Sequence, residues 1–138
     1  MIVLDTNVIS ELFRPIPDGK VLRWMEAQSA DQLFSTAISE AEIFLGIEFM
    51  ASGRRRTDLF SATEAYFRSD LAGKILSFDS TAARYYAEIA SNRKRKGVPI
   101  STFDAQIAAI VRTHGAALAT RNTKDFEMTG IPLINPWK

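Results

Sequence analysis

Five short runs of β-forming residues, separated by longer stretches of helical periodicity, constrain the fold more than any other feature of this chain. The runs are Ile2–Leu4, Gln32–Ser35, Ile75–Phe78, Ala116–Ala119 and Pro132–Ile134. Strands that alternate with helices join as parallel βαβ units through right-handed crossovers. Few β-hairpin signals occur, and no repeat or low-complexity tract divides the chain. At 138 residues it is read as one α/β domain spanning 1–138, with parallel strands and helices between them.

The helical stretches carry their own punctuation. Pro15-Ile16-Pro17-Asp18-Gly19 splits the region before Ala27 into two helical pieces. Ile43, Ile47 and Met50 follow helical spacing between Ser39 and Met50, and Gly53 is a natural stop. Gly46, within that helix, removes side-chain bulk and predicts close helix packing. Arg54 to Phe67 reads as a further amphipathic helix. Asp79 or Ser80 caps the next, which runs to about Lys96; Ser101 caps the last, which stops at His114-Gly115.

Composition excludes several classes. No apolar stretch approaches the roughly 20 residues needed to cross a bilayer. Cysteine is absent, which removes disulfides and thiolate metal sites. The amino terminus lacks a basic segment with a cleavage site, so a reducing cytoplasm is the expected compartment. Net charge is only +1, yet basic residues clump at Arg54-Arg55-Arg56 and at Arg93-Lys94-Arg95-Lys96. Solvated helix ends are the plainer account of such clumps, and contact with a phosphate backbone is the alternative.

The chemistry lies in the acids. Asp5 follows the first strand directly, where open α/β sheets place their sites. Glu42 is read in the first turn of a helix after the second strand, and Asp104 three residues after Ser101. Each also has a plain explanation. Asp5 caps a helix, and Ser39-Glu40-Ala41-Glu42 matches a capping box. Asp104 meets a favourable helix dipole. Convergence of all three on one sheet edge is a different matter. Two carboxylates about 4 Å apart repel by about 4 kcal/mol at an effective dielectric near 20. A divalent ion reverses that sign, and an all-oxygen shell suits Mg²⁺ or Mn²⁺ rather than zinc. Such a site polarises a phosphoryl oxygen and activates water, which makes phosphodiester hydrolysis the fitting reaction.

A fourth polar element, Thr120-Arg121-Asn122-Thr123-Lys124-Asp125-Phe126, follows the fourth strand. Asn122 and Asp125 are candidates to complete a metal shell, directly or through water, and spacing does not choose between them. As a bland alternative either makes an Asx-turn. Arg121 and Lys124 are candidate phosphate contacts. Thr6, Asn7 and Ser39 lie beside the acids and are candidates to hydrogen-bond a ligand carboxylate or the attacking water.

With these blocks in view, the chain resembles a PIN-domain nuclease, specifically the toxins of VapBC-type toxin–antitoxin pairs and their FitB-like branch. The matching pieces are Val3-Leu4-Asp5-Thr6-Asn7, Glu42-Ile43-Phe44-Leu45-Gly46-Ile47, the segment from Pro99 through Asp104 to Ala108, and Ala119 to Phe126. The ending Ile134-Asn135-Pro136-Trp137 also fits. The resemblance implies a PIN-like three-layer α/β/α sandwich around a five-stranded parallel sheet, and an endoribonuclease dependent on Mg²⁺ or Mn²⁺, commonly a homodimer. It also implies a cognate antitoxin that obstructs the site and whose other end binds operator DNA. Carried over by position, Asp5, Glu42 and Asp104 match the three regular acidic ligands. Asn122 stands where many relatives have Asp, with Asp125 a possible substitute. A non-catalytic module that keeps the fold and acts through its antitoxin complex is the alternative function.

Overall fold

Hydrogen bonding joins the β-type runs into one parallel sheet in the computed structural model, which describes residues 1–138. The strands are β1 (Ile2–Leu4), β2 (Leu33–Thr36), β3 (Ile75–Leu76), β4 (Ala117–Ala119) and β5 (Leu133–Ile134). Their order is β3-β2-β1-β4-β5 and every neighbouring pair is parallel. The chain therefore winds outward from β1 in one direction, then returns and continues from β1 in the other. The reversal leaves a crevice between the carboxyl ends of β1 and β4, where doubly wound sheets bind ligands.

Six helices cover the sheet: α1 (Thr6–Leu12), α2 (Gly19–Ala27), α3 (Ala37–Glu48), α4 (Arg54–Ala65), α5 (Ser80–Arg95) and α6 (Thr102–Thr113). Side chains alternate between the faces with the strand period of two. Val3, Phe34, Leu76 and Leu118 pack on the face covered by α5 and α6. Ile2, Leu4, Leu33, Ile75 and Ala119 pack on the opposite face with Val8, Ile9, Val21, Ile43 and Ile47. Burial on both faces explains why the strands read as apolar runs rather than alternating ones. Ile107, Ile110 and Val111 of α6 are wholly buried, and each contributes roughly 1.5–3 kcal/mol relative to exposure.

Helix ends follow the punctuation with two corrections. Asp79 and Ser101 cap α5 and α6 through the amides of Ala82 and Asp104. At the end of α6, Gly115 (φ 59°) donates to Arg112 and Ala116 donates to Val111, a Schellman stop. The first correction concerns α3. Its cap is Thr36, whose hydroxyl accepts from the Ser39 amide at 3.0 Å, so the capping box on Ser39 does not form. The second concerns α4, which ends at Ala65 and passes into a π-helical turn, Tyr66–Asp70, that buries Phe67 against Phe44 at a centroid distance of 5.8 Å. Gly46 has no close helix to accommodate: a Cβ there would meet nothing within 4 Å.

Candidate active site

Asp5 ends up in the crevice because β1 and β4 pair with Leu4 opposite Ala119. The ladder continues one step further, with the Asp5 amide donating to the Ala119 carbonyl at 2.9 Å. That step sets Asp5 beside Thr120, whose hydroxyl donates to Asp5 Oδ2 at 2.7 Å. The Thr6 amide donates to Oδ1 at 2.8 Å, so Asp5 also caps α1. Asn7 Nδ2 lies 3.4 Å from both Asp5 Oδ2 and the Thr120 hydroxyl, while Asn7 Oδ1 accepts from the Arg121 amide at 3.2 Å. The Thr120 hydroxyl in turn accepts from the Asn122 amide at 3.1 Å. Residues 5–7 and 120–122 thus form one knot across the reversal point, with Asp5 only 5% exposed.

Glu42 reaches this knot from α3. Thr6 Oγ1 donates to Glu42 Oε1 at 2.9 Å, so Thr6 holds one carboxylate with its amide and a second with its hydroxyl. Because Thr36 caps α3, Glu42 lies in the second turn rather than the first and has no capping duty. Its cap explanation falls, and its contact is with α1. Asp104 enters from α6, half-buried, with its amide bonded to Ser101 Oγ at 3.2 Å.

All three carboxylates have raised proton affinity. Burial pushes Asp5 up to about 6, against the pull of Thr120 and Thr6, and the charges of Asp104 and Glu42 push the same way. Burial also raises Glu42, opposed by the Thr6 hydroxyl and reinforced by Asp104. Asp104 is raised by burial and by Asp125, with Ser101 and Arg93 acting in the opposite direction. None of the four ion pairs in the molecule involves Asp5, Glu42 or Asp104. The cluster is nevertheless not a closed cage: no three His, Asp or Glu side chains stand close enough to enclose an ion between them. Asp5 is held by the Thr120 hydroxyl and the Thr6 amide, and Glu42 by the Thr6 hydroxyl.

The fourth element divides its duties. Asp125 lies in a short 3₁₀ turn, Thr123–Phe126, exposed and near enough to Asp104 for its charge to act there. The contact of Asn122 with the knot is its backbone amide. Arg121 stacks its guanidinium over Trp137, 5.2 Å from the ring centroid, and Lys124 is exposed without an ion pair. Ser39 is fully buried and its hydroxyl has no hydrogen-bond partner, so it bonds neither Asp5 nor Glu42. Beside Glu42 opens a cavity of about 460 Å³ whose lining includes Thr6, Ser10, Phe13, Gly46 and Thr63.

The family model for the PIN domain matches residues 2–131. The chain belongs to the PIN-domain family. This PIN domain is 44% identical to the VapC ribonuclease Y4jK of Sinorhizobium fredii, over 100% of the chain and 99% of the relative. It is 37% identical to the toxin FitB of Neisseria gonorrhoeae, covering 99% of each. Among solved structures, FitAB bound to the IR36 DNA fragment superposes with a TM-score of 0.94 at 37% identity, covering 100% of this chain and 96% of that one.

Two residues of the PIN domain's site were not singled out from sequence. Thr120 reads as an ordinary loop threonine, and only the β1–β4 register reveals that it meets Asp5. Arg93 sits in a basic run that reads as solvated, yet it is 6% exposed while Lys94, Arg95 and Lys96 face outward. No local signal separates it from its neighbours except its helical offset toward Ile89, one turn earlier on the buried side. No helix of the protein is long and apolar enough to cross a membrane.

Proposed function

We propose that this PIN domain is a divalent-metal-dependent endoribonuclease, the toxin of a type II toxin–antitoxin pair, inhibited by a cognate antitoxin in the cytoplasm. The observation that carries the reading is electrostatic: at the sheet's reversal point the charges of Glu42 and Asp104 act on Asp5, that of Asp104 acts on Glu42, and none of the three is paired with a basic side chain. Support for the substrate class and partner comes from relatives of full length whose names specify a ribonuclease and a toxin, and from the FitAB assembly on DNA. Operator binding would then be the antitoxin's task.

The donor set fits Mg²⁺ or Mn²⁺. It consists of carboxylate oxygens with hydroxyls behind them, and it has no cysteine and no histidine, which suits hard cations. Asp5, Glu42 and Asp104 would hold the ion, with Asp125 adding negative charge beside Asp104. When bound, the ion supplies Lewis-acid polarisation of a phosphoryl oxygen and lowers the pKa of water.

The chain's own residues do the rest. Thr120 and the Thr6 amide fix both oxygens of Asp5, which keeps its orientation constant as the site fills. The Thr6 hydroxyl ties Glu42 to the same turn. Lys124, exposed beside Asp125, would meet a backbone phosphate, and Arg121 would offer the outer face of its stacked guanidinium.

The test is RNA cleavage by the purified protein freed of antitoxin. Cleavage is expected with Mg²⁺ or Mn²⁺ and not with excess chelator. Asp5→Asn and Asp104→Asn should each lower it by roughly 10²–10³-fold, the loss typical when a charge-stabilising group leaves an active site. Cleavage by both variants at the parental rate contradicts the proposal and favours the non-catalytic module.

A further inference from the structure

Arg93 is the only basic side chain buried in this protein, and no carboxylate pairs with it. Its partners are backbone carbonyls. Nε donates to Val98 at 2.6 Å, and Nη1 donates to both Asp125 and Glu127 at 2.9 Å. Burying a guanidinium carries a desolvation cost, which these three bonds offset, and an apolar side chain in its place would leave the three carbonyls without this donor. Arg93 therefore ties together the segments that those carbonyls belong to.

The carbonyls belong to two turns that each deliver an acid to the site. On one side, α5 ends in a Schellman motif: Gly97 (φ 77°) donates to Lys94 at 3.1 Å and Val98 donates to the Arg93 carbonyl at 3.0 Å. Arg93 and Val98 thus exchange two hydrogen bonds, one through the side chain and one through the backbone. That doubly tied residue leads through Pro99 and Ile100 to Ser101, the cap that starts α6 and sets Asp104. On the other side, Nη1 grips the chain at Asp125 and again two residues later, across the end of the 3₁₀ turn. One planar fork spans both turns at once.

We propose that Arg93 is a positioning residue of the acidic site, clamping the turns that carry Asp104 and Asp125 so that both face the same divalent cation and phosphate. The proposal rests on the ribonuclease reading for its outcome, although the clamp itself does not. A lysine ammonium lacks the fork and can keep only part of the network, so Arg93→Lys should fall between the parent and Arg93→Met.

Three measurements on the antitoxin-free protein, well below its unfolding temperature, decide the matter, with Ile89→Ala as a destabilised control from the same helix. In Arg93→Met, amide exchange at residues 97–98 and 125–127 should quicken about tenfold more than at Val8 and Ile9 of α1. Mn²⁺ affinity read by electron paramagnetic resonance should weaken by roughly 10–100-fold, the range for groups that orient metal ligands. Turnover of RNA should fall in kcat more than it changes in KM. Arg93→Lys should recover part of each effect, and Ile89→Ala should show none beyond uniform exchange. Parental Mn²⁺ affinity and kcat in Arg93→Met, with only a lower Tm, overturn the proposal. If the parent itself neither binds Mn²⁺ nor cleaves RNA, the ribonuclease reading fails instead, and exchange decides the clamp. Acceleration confined to the two turns upholds it, and uniform acceleration overturns it.

Discussion

Asp5 holds its charge at a cost, because burial and two neighbouring carboxylates oppose ionisation more than Thr120 and Thr6 favour it. A folded-state pKa near 6 against an ordinary 3.8 means the folded protein binds this proton more tightly than the unfolded chain does. The cost is fully present above about pH 6 and is relieved as pH falls from there toward 3.8. Metal-free protein should therefore gain stability from this group across that window, by up to about 3 kcal/mol. Urea denaturation as a function of pH checks it. Asp5→Asn should be more stable than the parent at pH 7.5 and should lack that component of the rise; parallel profiles for the two proteins refute it. Glu42 and Asp104 are displaced in the same direction and add to the parent's slope. Asp5 and Asp104 stand out in the sequence because one follows a strand directly and the other lies in the first turn of a helix, where α/β folds bring chains together; Glu42, in the second turn of α3, stands out through a capping box that does not form. Thr120 does not, since its role exists only once β4 pairs with β1 in one register.

The elements themselves were read closely because burial on both faces writes strands as compact apolar runs, and Gly, Pro and capping residues mark the ends of most helices. The start of α3 shows where this reading fails. Thr36-x-x-Ser39 and Ser39-x-x-Glu42 are both plausible beginnings, and the choice is made by β2, which extends to Thr36 and leaves its hydroxyl free to cap. Likewise the π-helical turn after α4 keeps the same apolar residues as a continued helix, so no sequence pattern distinguishes the two. Gly46 offers a test at this scale. It lies inside α3 with open space before its Cα and a cavity at its side. Gly46→Ala should raise stability by roughly 0.5–1 kcal/mol, because it removes unfolded-chain freedom without a clash. Thermal or chemical denaturation measures this, and destabilisation would show that the helix face is more crowded than described.

At the scale of the whole molecule, a net charge of only +1 means that any hold on RNA must come from local charge rather than from an overall field. Of the basic clumps, Arg93 is internal and Arg56 is paired with Glu48 at 2.8 Å, while Arg54, Arg55, Lys94, Arg95 and Lys96 are exposed; outside the clumps, Lys124 is the exposed cation on the turn carrying Asp125. Lys124→Gln should weaken RNA binding more at low salt and reduce the slope of log affinity against log salt by about 0.7, the value for one single-strand phosphate contact. An unchanged slope assigns Lys124 to the solvated surface. The antitoxin-free protein, measured in a catalytically impaired background, is the form to use.

If folding brings Asp5, Glu42 and Asp104 together for one kind of partner, that partner is a divalent cation. Calorimetric titration of Mn²⁺ into the metal-free protein, alongside Asp5→Asn and Asp104→Asn, tests it most directly. Saturable binding by the parent and a loss of affinity of about tenfold or more in each variant are expected. Binding that is absent from the parent, or equally tight in both variants, contradicts it.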